Sequence, residues 1–311
     1  MRVTSNMMLS GYLKNLGNNM SELNKLQNKM ATGKRITKPS DDPIGIISSM
    51  QTRVKIYKSE QYKRNVEKSL TWLEQTESSV LELNDMLKTA YEKAVYMSND
   101  FLSPEDKIAT AEMIEQLRDH VLTIGNAKSG DKYIFGGYNV TSPPFVVDDS
   151  GNILYNGIDL IDASNPALLS EDKASIQYEI GFDVVMDIST TGTQLFGMGD
   201  NNVYTVLDDF CNALRNDASA EEISQYIAKL QDCQTHVMSV DASVGGRVGR
   251  LELIQNRFED DVLMYEAIKS NIEDVDQAEA IMNYKMSEFV YMAALQIGNN
   301  IVQTSLINFL K

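Results

Sequence analysis

The side chains that carry most catalytic chemistry are scarce in this sequence of 311 residues. His120 and His236 are the only histidines, and neither stands in a His-Glu-x-x-His pattern that could hold zinc. Cys211 and Cys233 are the only cysteines, and their spacing matches neither a zinc site nor a redox motif. We therefore expect solvated or core-edge histidines and two buried thiols that do not bond to each other.

Four pairs of adjacent aspartates are the other candidates for chemistry, namely Asp41-Asp42, Asp148-Asp149, Asp208-Asp209 and Asp260-Asp261. Neighbouring side chains diverge on a helix or a strand, so a pair would need an unusual turn to share a metal ion. Helix caps and solvated faces explain these pairs better. The chain also lacks a phosphate-binding loop, a dinucleotide fingerprint and a nucleophile elbow. The sequence predicts a protein without catalysis, metal or cofactor.

The composition narrows the classes of partner. A formal net charge of -16 disfavours nucleic acid and anionic membranes, because phosphate groups attract cations. No apolar run approaches the roughly 18 residues of a membrane span. The first six residues lack the apolar segment of a secretory signal. Taken alone, these features predict a cytoplasmic protein.

Both ends of the chain carry apolar residues at heptad spacing, which is typical of coiled coils. Near the N-terminus one row holds Leu9, Leu16, Leu23 and Met30, and the interleaved row holds Leu13, Met20 and Gln27. After position 250 the first row is Leu251, Phe258, Tyr265, Ile272, Glu279, Met286 and Ala293, and the second is Ile254, Asp261, Ile268, Val275, Met282 and Phe289. We predict that the two ends pair. The predicted assembly seam comprises Leu9, Leu13, Leu16, Met20, Leu23, Met30, Ile272, Val275, Met282, Met286 and Phe289.

Prolines, glycines and caps set the predicted helix boundaries. The first helix should end near Gly33, because a turn with two prolines follows it. A helix of about 50 residues should start near Gly45. Ser103-Pro104-Glu105-Asp106 predicts an N-cap, and the helix that it starts should run to about Ala127. These two long helices should form an antiparallel pair.

The segment between positions 130 and 202 is rich in glycine and turn residues, and short apolar runs such as Phe145-Val146-Val147 predict strands there. We expect a small β domain that folds independently and faces outward. Helix returns at Val203, and Ser219-Ala220-Glu221-Glu222 predicts the start of another helix. Gly245-Gly246 should separate that helix from a last one that runs from about Arg250 to the end.

These elements predict a mainly α fold, α+β overall: a terminal coiled coil, a central antiparallel helical bundle and a small inserted β domain. The predicted terminal domain comprises residues 1–45 and 270–311. The central helical domain comprises 46–135 and 203–269, and the β-rich insert comprises 136–202. Heptad helices also occur in closed bundles, so a closed cytoplasmic helical bundle is an alternative at this point.

Two motifs at the ends of the chain resemble those of the flagellin family. The N-terminal motif is Leu26-Gln27-Asn28-Lys29-Met30-Ala31-Thr32-Gly33-Lys34-Arg35-Ile36 followed by Asp41-Asp42-Pro43-Ile44-Gly45. The C-terminal motif consists of Gly246-Arg247-Val248-Gly249-Arg250-Leu251, Asn256-Arg257 and Ser270-Asn271-Ile272-Glu273-Asp274-Val275-Asp276-Gln277-Ala278. The resemblance covers about 1–145 and 203–311. It assigns an inter-domain corner to Gly33, Arg35, Ile36, Asp41, Asp42 and Gly45.

Within this family, Lys132-Tyr133-Ile134-Phe135-Gly136-Gly137 and Pro143-Pro144-Phe145 are similar to a segment of the subunit that joins the flagellar hook to the filament. The resemblance implies a structural adaptor that self-associates in a ring between a first hook-associated junction protein and flagellin. It also implies a flagellar export chaperone and export through the type III apparatus without a cleaved signal peptide, and therefore an extracellular location. Flagellin itself is the nearest alternative, and a secreted enzyme on a flagellin-like scaffold is another.

Overall fold

Helices make up most of the structure, a computed structural model that describes residues 5–98, 103–148, 151–162, 165–171 and 175–309. The long helices are α1 (Ser5–Thr32), α2 (Pro43–Met97), α3 (Pro104–Gly125), α6 (Val203–Arg215), α7 (Ala220–Glu273) and α8 (Gln277–Phe309), and the short ones are α4 (Pro166–Glu171) and α5 (Gly192–Phe196). The mainly α class with a small β region is confirmed. None of the described helices is long and apolar enough to cross a membrane.

The strands lie between α3 and α6 and form three small antiparallel sheets. The strands are β1 (Lys128–Ser129), β2 (Lys132–Tyr133), β3 (Phe145–Val147), β4 (Ile153–Tyr155), β5 (Ile158–Asp159), β6 (Gln177–Gly181) and β7 (Val184–Asp187). β1 pairs with β2, β4 lies between β3 and β5, and β6 pairs with β7. Asn156 and Gly157 both have positive φ, at 50° and 82°, so the predicted Asn-Gly turn joins β4 to β5.

The chain divides into two compact units. Unit 1 comprises Met1–Ser59 and Asp260–Lys311, and unit 2 comprises Glu60–Glu259. Both α2 and α7 contribute residues to each unit. The finer division into terminal, central and inserted domains stays a prediction.

Side-chain caps start the helices where the sequence predicts. The Ser103 hydroxyl accepts a hydrogen bond from the Asp106 amide, and the Asp106 carboxylate accepts one from the Ser103 amide in return. Ser219 and Glu222 make the same reciprocal pair at the start of α7. Each cap satisfies amide groups that have no partner within the helix, which fixes the first residue of the helix.

The structure corrects the predicted boundary at Gly245-Gly246, because α7 continues through both residues to Glu273. A glycine costs only about 1 kcal/mol in a helix interior, and a helix of this length can absorb that cost. The break comes instead at 274–276, and α8 starts at Gln277. The Asp276 carboxylate accepts hydrogen bonds from the Ala278 and Glu279 amides, at 2.8 and 3.3 Å. Asp276 and Glu279 form an Asp-x-x-Glu pattern, which is a sequence signal for the start of a helix.

Unit 2 has two clusters of buried apolar residues, and the β-rich insert contributes to both together with the helices. Phe145 from β3 contacts Phe196 from α5, with ring centroids 4.5 Å apart. At Gly125, near the end of α3, a Cβ would come within 2.7 Å of Phe145 and 2.8 Å of Phe196. The insert therefore packs directly on the helical core. Its strands have two to five residues, too few to bury a core of their own, so the packing does not support the expected independent folding.

Candidate assembly surfaces in unit 1

The two terminal helices α1 and α8 pack against each other within unit 1. On α1 the half-buried side chains recur with spacings of three and four residues, namely Leu9, Tyr12, Leu16, Asn19, Leu23, Leu26 and Met30. This is the spacing of a coiled-coil seam. Near its N-terminal end the Tyr12 hydroxyl donates a hydrogen bond to the carbonyl oxygen of Ala294, at 2.9 Å. The predicted pairing of the two ends is thus present within one chain.

Helix α8 presents small residues on its more buried face. Its buried and half-buried positions include Ala280, Ser287, Ala294 and Gly298. A Cβ at Gly298 would lie 2.1 Å from the Tyr12 hydroxyl oxygen, far inside van der Waals contact. Small side chains let the two helices approach, so the contact depends on shape more than on apolar area.

The eleven residues predicted for the seam differ in burial. Leu9, Leu16, Leu23 and Met30 are half-buried, as are Ile272 and Val275. In contrast, Leu13 and Met20 are 56% and 43% exposed, and Met282, Met286 and Phe289 are 60%, 63% and 74% exposed. These five residues therefore lie off the contact face between α1 and α8 within one chain. Their role as an assembly surface stays a prediction.

The sequence could not choose between the candidate rows on α1. Residues three positions after Leu9, Leu16 and Leu23 are Tyr12, Asn19 and Leu26, whereas residues four positions after them are Leu13, Met20 and Gln27. Each row has two apolar members and one amide, so hydrophobicity does not separate them. On α8 several contact residues, such as Ala280, Ala294 and Gly298, are small, and a search for large apolar side chains overlooks them.

The corner between α1 and α2 is joined by backbone hydrogen bonds to the turn between α7 and α8. Gly33 adopts a φ of +68°, a left-handed conformation that glycine tolerates, directly after the end of α1. Its carbonyl accepts a hydrogen bond from the Val275 amide at 3.0 Å. The Arg35 amide donates to the Glu273 carbonyl at 2.6 Å, so the two turns form an antiparallel bridge.

Glu273 lies at the centre of the ion pairs in this corner, and its side chain is only 3% exposed. Arg53 donates to Oε1 through Nε and Nη2, at 2.8 Å each, and the Ser49 hydroxyl also donates to Oε1. Lys34 Nζ lies 3.4 Å from Oε2. Three donors from α2 and the corner thus hold the carboxylate at the end of α7. The corner predicted from the sequence did not include Glu273, Ser49 or Arg53. The fold brings Glu273 into contact with Ser49 and Arg53, which are distant from it in the sequence.

Asp41 and Asp42 have separate tasks in the corner. The Asp41 carboxylate accepts from the amides of Thr37 and Lys38, at 3.1 and 2.9 Å, and so closes the turn before α2. The Asp42 carboxylate accepts from the Gly45 amide at 2.9 Å, in the manner of a helix cap, and pairs with Arg35 at 3.2 Å. The predicted corner residues therefore lie together.

Gly45 and Ile36 fix the close packing of this turn. A Cβ at Gly45 would lie 2.4 Å from an Asp42 carboxylate oxygen and 2.8 Å from Ile36 Cδ1. Ile36 is itself 7% exposed. The contact explains why a residue without a side chain stands where α2 leaves the corner.

The corner carboxylates are stabilised in the ionised form. The hydrogen bond from the Lys38 amide lowers the pKa of Asp41, and that from the Gly45 amide lowers the pKa of Asp42. The Lys34 hydrogen bond lowers the pKa of Asp274. Burial alone would raise the pKa of Glu273, but the hydrogen bonds from Ser49 and Arg53 and the charge of Arg53 outweigh it and lower the pKa.

The two histidines lie on different helices and have different hydrogen-bonding partners. His120 Nε2 lies 2.9 Å from a Glu82 carboxylate oxygen, and His236 Nε2 lies 2.8 Å from the Gln194 carbonyl. Cys211 and Cys233 are free and buried, as predicted, and burial raises the pKa of Cys233 to about 11. Within the described part of the chain no group of His, Cys, Asp or Glu could hold a metal ion.

Comparison with known proteins agrees with this architecture. Residues 3–140 match the family model described as the bacterial flagellin N-terminal helical region. A flagellar hook-associated protein 3 of Salmonella typhimurium is 27% identical over 319 residues, which cover 95% of this chain and 94% of that protein. A flagellin of Aquifex aeolicus is 26% identical but covers 60% of this chain and 36% of the flagellin.

A crystal structure of flagellar hook-associated protein 3 from Legionella pneumophila has the same fold. Its TM-score is 0.62 at 14% identity, with 72% of this chain and 98% of that chain covered. The chain is thus similar to the flagellin family over residues 3–140 and to a hook-associated protein 3 over nearly its whole length. It is a structural component of the bacterial flagellum rather than an enzyme.

Proposed function

We propose that this chain forms the junction between the flagellar hook and the flagellin filament, as an adaptor that binds no substrate and no cofactor. The observation that carries the proposal is the extent of the similarity. Hook-associated protein 3 matches over almost the whole of both chains, whereas the flagellin matches over about a third of its own length. The segment around Tyr133 and Phe135, which is typical of the junction subunit, also supports the proposal.

The exposed face of α8 supports self-association. Among the α8 residues up to Gly298, whose burial the structure describes, the large apolar side chains left exposed are Met282, Met286, Phe289, Ile281, Val290, Met292, Leu295 and Ile297. Soluble monomers rarely expose large contiguous apolar areas unless a partner covers them. We propose that neighbouring subunits in a ring cover this face.

A second exposed stripe lies on the first part of α2. Ile47, Met50, Val54 and Tyr57 are all exposed and follow one another at spacings of three, four and three residues. This is again the spacing of a coiled-coil seam. Two different apolar faces on one chain favour a head-to-tail contact between copies, which closes into a ring when the rotation allows it.

The remaining partners follow from this place in the flagellum. We propose that the first hook-associated junction protein contacts the ring on one side and flagellin on the other. Before assembly the exposed face of α8 needs protection from aggregation, which a flagellar export chaperone would supply. Export through the type III apparatus would then place the chain outside the cell.

A substitution in the exposed face of α8 tests the proposal. A strain without the gene is complemented with wild-type protein or with Phe289→Asp, which places a charge where a neighbouring subunit would bury an apolar ring. We expect hooks without filaments, and flagellin released into the medium. Phe182→Asp is the matched control, because Phe182 is 73% exposed, against 74% for Phe289, but lies in unit 2.

The outcomes separate the proposal from its rivals. Normal swimming by Phe289→Asp would show that this face is not an assembly surface. Immunogold labelling of the tagged wild-type chain should mark only the boundary between hook and filament. Labelling along the whole filament would instead identify the chain as flagellin.

A further inference from the structure

A cleft in unit 2 has the features of a binding site that the junction function does not use. It lies between the segment before and within α5 and one face of α7, and has a volume of about 330 Å³. Its polar lining consists of Thr190, Gln194, His236, Ser239, Ser243 and Arg247. The four α7 residues follow one another at spacings of three or four, so they share one face of the helix.

The wall opposite α7 is held in place by hydrogen bonds. The Ser189 hydroxyl accepts from the Ile176 amide at 2.9 Å, and the Gly192 amide donates to the Phe135 carbonyl at 2.9 Å. Arg247 Nη1 donates to the Ser189 carbonyl at 3.0 Å, which orients the guanidinium at the cleft. The site is therefore built before any ligand arrives.

Thr190 supplies an independent sign that a ligand belongs here. Its side chain is 2% exposed, and its hydroxyl has no hydrogen-bonding partner among the described residues. A buried hydroxyl without a partner is costly, and such groups in native structures call for an explanation. A bound group that accepts this hydrogen bond would satisfy it.

The chemistry of the lining selects the kind of ligand. Arg247 has five N–H donors, only one of which bonds to Ser189, and three hydroxyls stand beside it. Among the residues that the structure describes, no carboxylate lines this cleft, although the chain carries 44 acidic residues. We propose that the cleft binds an oxyanion, held by the Arg247 guanidinium and the Thr190 hydroxyl.

Two sources could supply such a group, either phosphate from solution or a carboxylate side chain of an abutting protein. The test follows amide NMR shifts of the full chain during titration with sodium phosphate or sodium acetate, at an ionic strength held constant with sodium chloride. We expect saturable shifts around Thr190 and Arg247. A stronger response to phosphate would favour the dissolved ion, and a stronger response to acetate would favour a protein carboxylate.

Arg247→Gln should weaken the affinity for the preferred anion about tenfold or more, because it removes a charge-assisted hydrogen bond. Arg250→Gln is the matched control: it makes the same change in residue type and net charge at an exposed position one turn further along α7. We expect its titration to equal that of the wild type. Equal effects of both variants would reduce the proposal to general charge attraction and overturn it.

Thr190→Val separates a ligand contact from a merely unsatisfied hydroxyl, and it leaves the Arg247 bond to Ser189 intact. If the hydroxyl binds the anion, the variant should lose affinity several-fold. If affinity is unchanged while the protein becomes more resistant to heat, the hydroxyl is only an unsatisfied group. That result, or the absence of saturable shifts in the wild type, would overturn the proposal.

Discussion

The two compact units of this chain hold themselves together in different ways. Unit 2 buries large apolar side chains such as Phe135, Tyr155 and Phe210. Unit 1 relies on backbone bridges, charged hydrogen bonds around Glu273 and close packing of small residues, and it leaves many of its large apolar residues exposed. The contrast indicates that unit 2 is stable by itself, whereas unit 1 depends on partners to bury its apolar surface.

A pair of phenylalanine substitutions gives the largest expected difference between the units. Phe135 is fully buried and Phe289 is 74% exposed. Phe135→Ala should lower the free energy of unfolding by about 3–5 kcal/mol, because it leaves a cavity in the core. Phe289→Ala should change it by less than about 0.5 kcal/mol while it impairs filament attachment. Chemical denaturation of both purified variants measures the difference.

The contrast breaks down if Phe289→Ala destabilises the monomer by an amount similar to Phe135→Ala. Such a result would mean that the α8 side chains already have a partner within one chain in solution. Size-exclusion chromatography of the same samples excludes self-association as the cause.

Two glycines test how far close approach, rather than apolar area, holds α1 to α8. Gly298→Ala places a methyl group against Tyr12 and should displace the tyrosine from Ala294, at a cost of about 1–3 kcal/mol. Gly246→Ala meets nothing within 4 Å in the interior of α7, so it should stabilise the protein by about 0.5–1 kcal/mol.

Hydrogen exchange locates the effect of Gly298→Ala. Amide protection should fall in α1 and remain unchanged in α2 and α3 of unit 2. Unchanged protection in α1 would show that the contact between Tyr12 and Gly298 does not hold the terminal helices together.

The smallest expected effect is a difference in the response to acid. Glu273, Asp274, Asp41 and Asp42 have a lower pKa in the folded chain than the ordinary values of 4.5 for Glu and 3.8 for Asp. The unfolded chain therefore binds more protons, and this stabilisation, complete above the ordinary values, is lost as the pH falls through the folded pKa. In unit 2, burial raises the pKa of Asp209, so the effect of this carboxylate on stability changes with pH in the opposite direction.

Acidification should thus loosen the corner before the core of unit 2. Protection factors corrected for intrinsic exchange should fall around Gly33 and Glu273 between about pH 6 and about pH 3, and less around Leu87. Glu273→Gln should reduce this pH dependence. An equal loss of protection in both regions would show that the corner carboxylates do not cause the loss.

Much of the fold could be predicted from local signals. The N-caps at Ser103 and Ser219, the turn at Asn156-Gly157 and the end of α1 before Gly33 all depend on bonds between near neighbours in sequence. The corner residues were predicted through resemblance, whereas their partner Glu273 lies 224 positions from Ser49 and 220 from Arg53, and no local pattern shows that contact.

The sequence by itself determined the helical class, most of the helix boundaries, the lack of a catalytic motif and the resemblance to flagellins. Tertiary structure decided which faces of the terminal helices meet, because heptad spacing marks an apolar face without saying what covers it. It placed Tyr12 against Gly298 and left Phe289 outside. It also joined the β-rich insert to the helical core, since short strands bury their apolar side chains only against another layer.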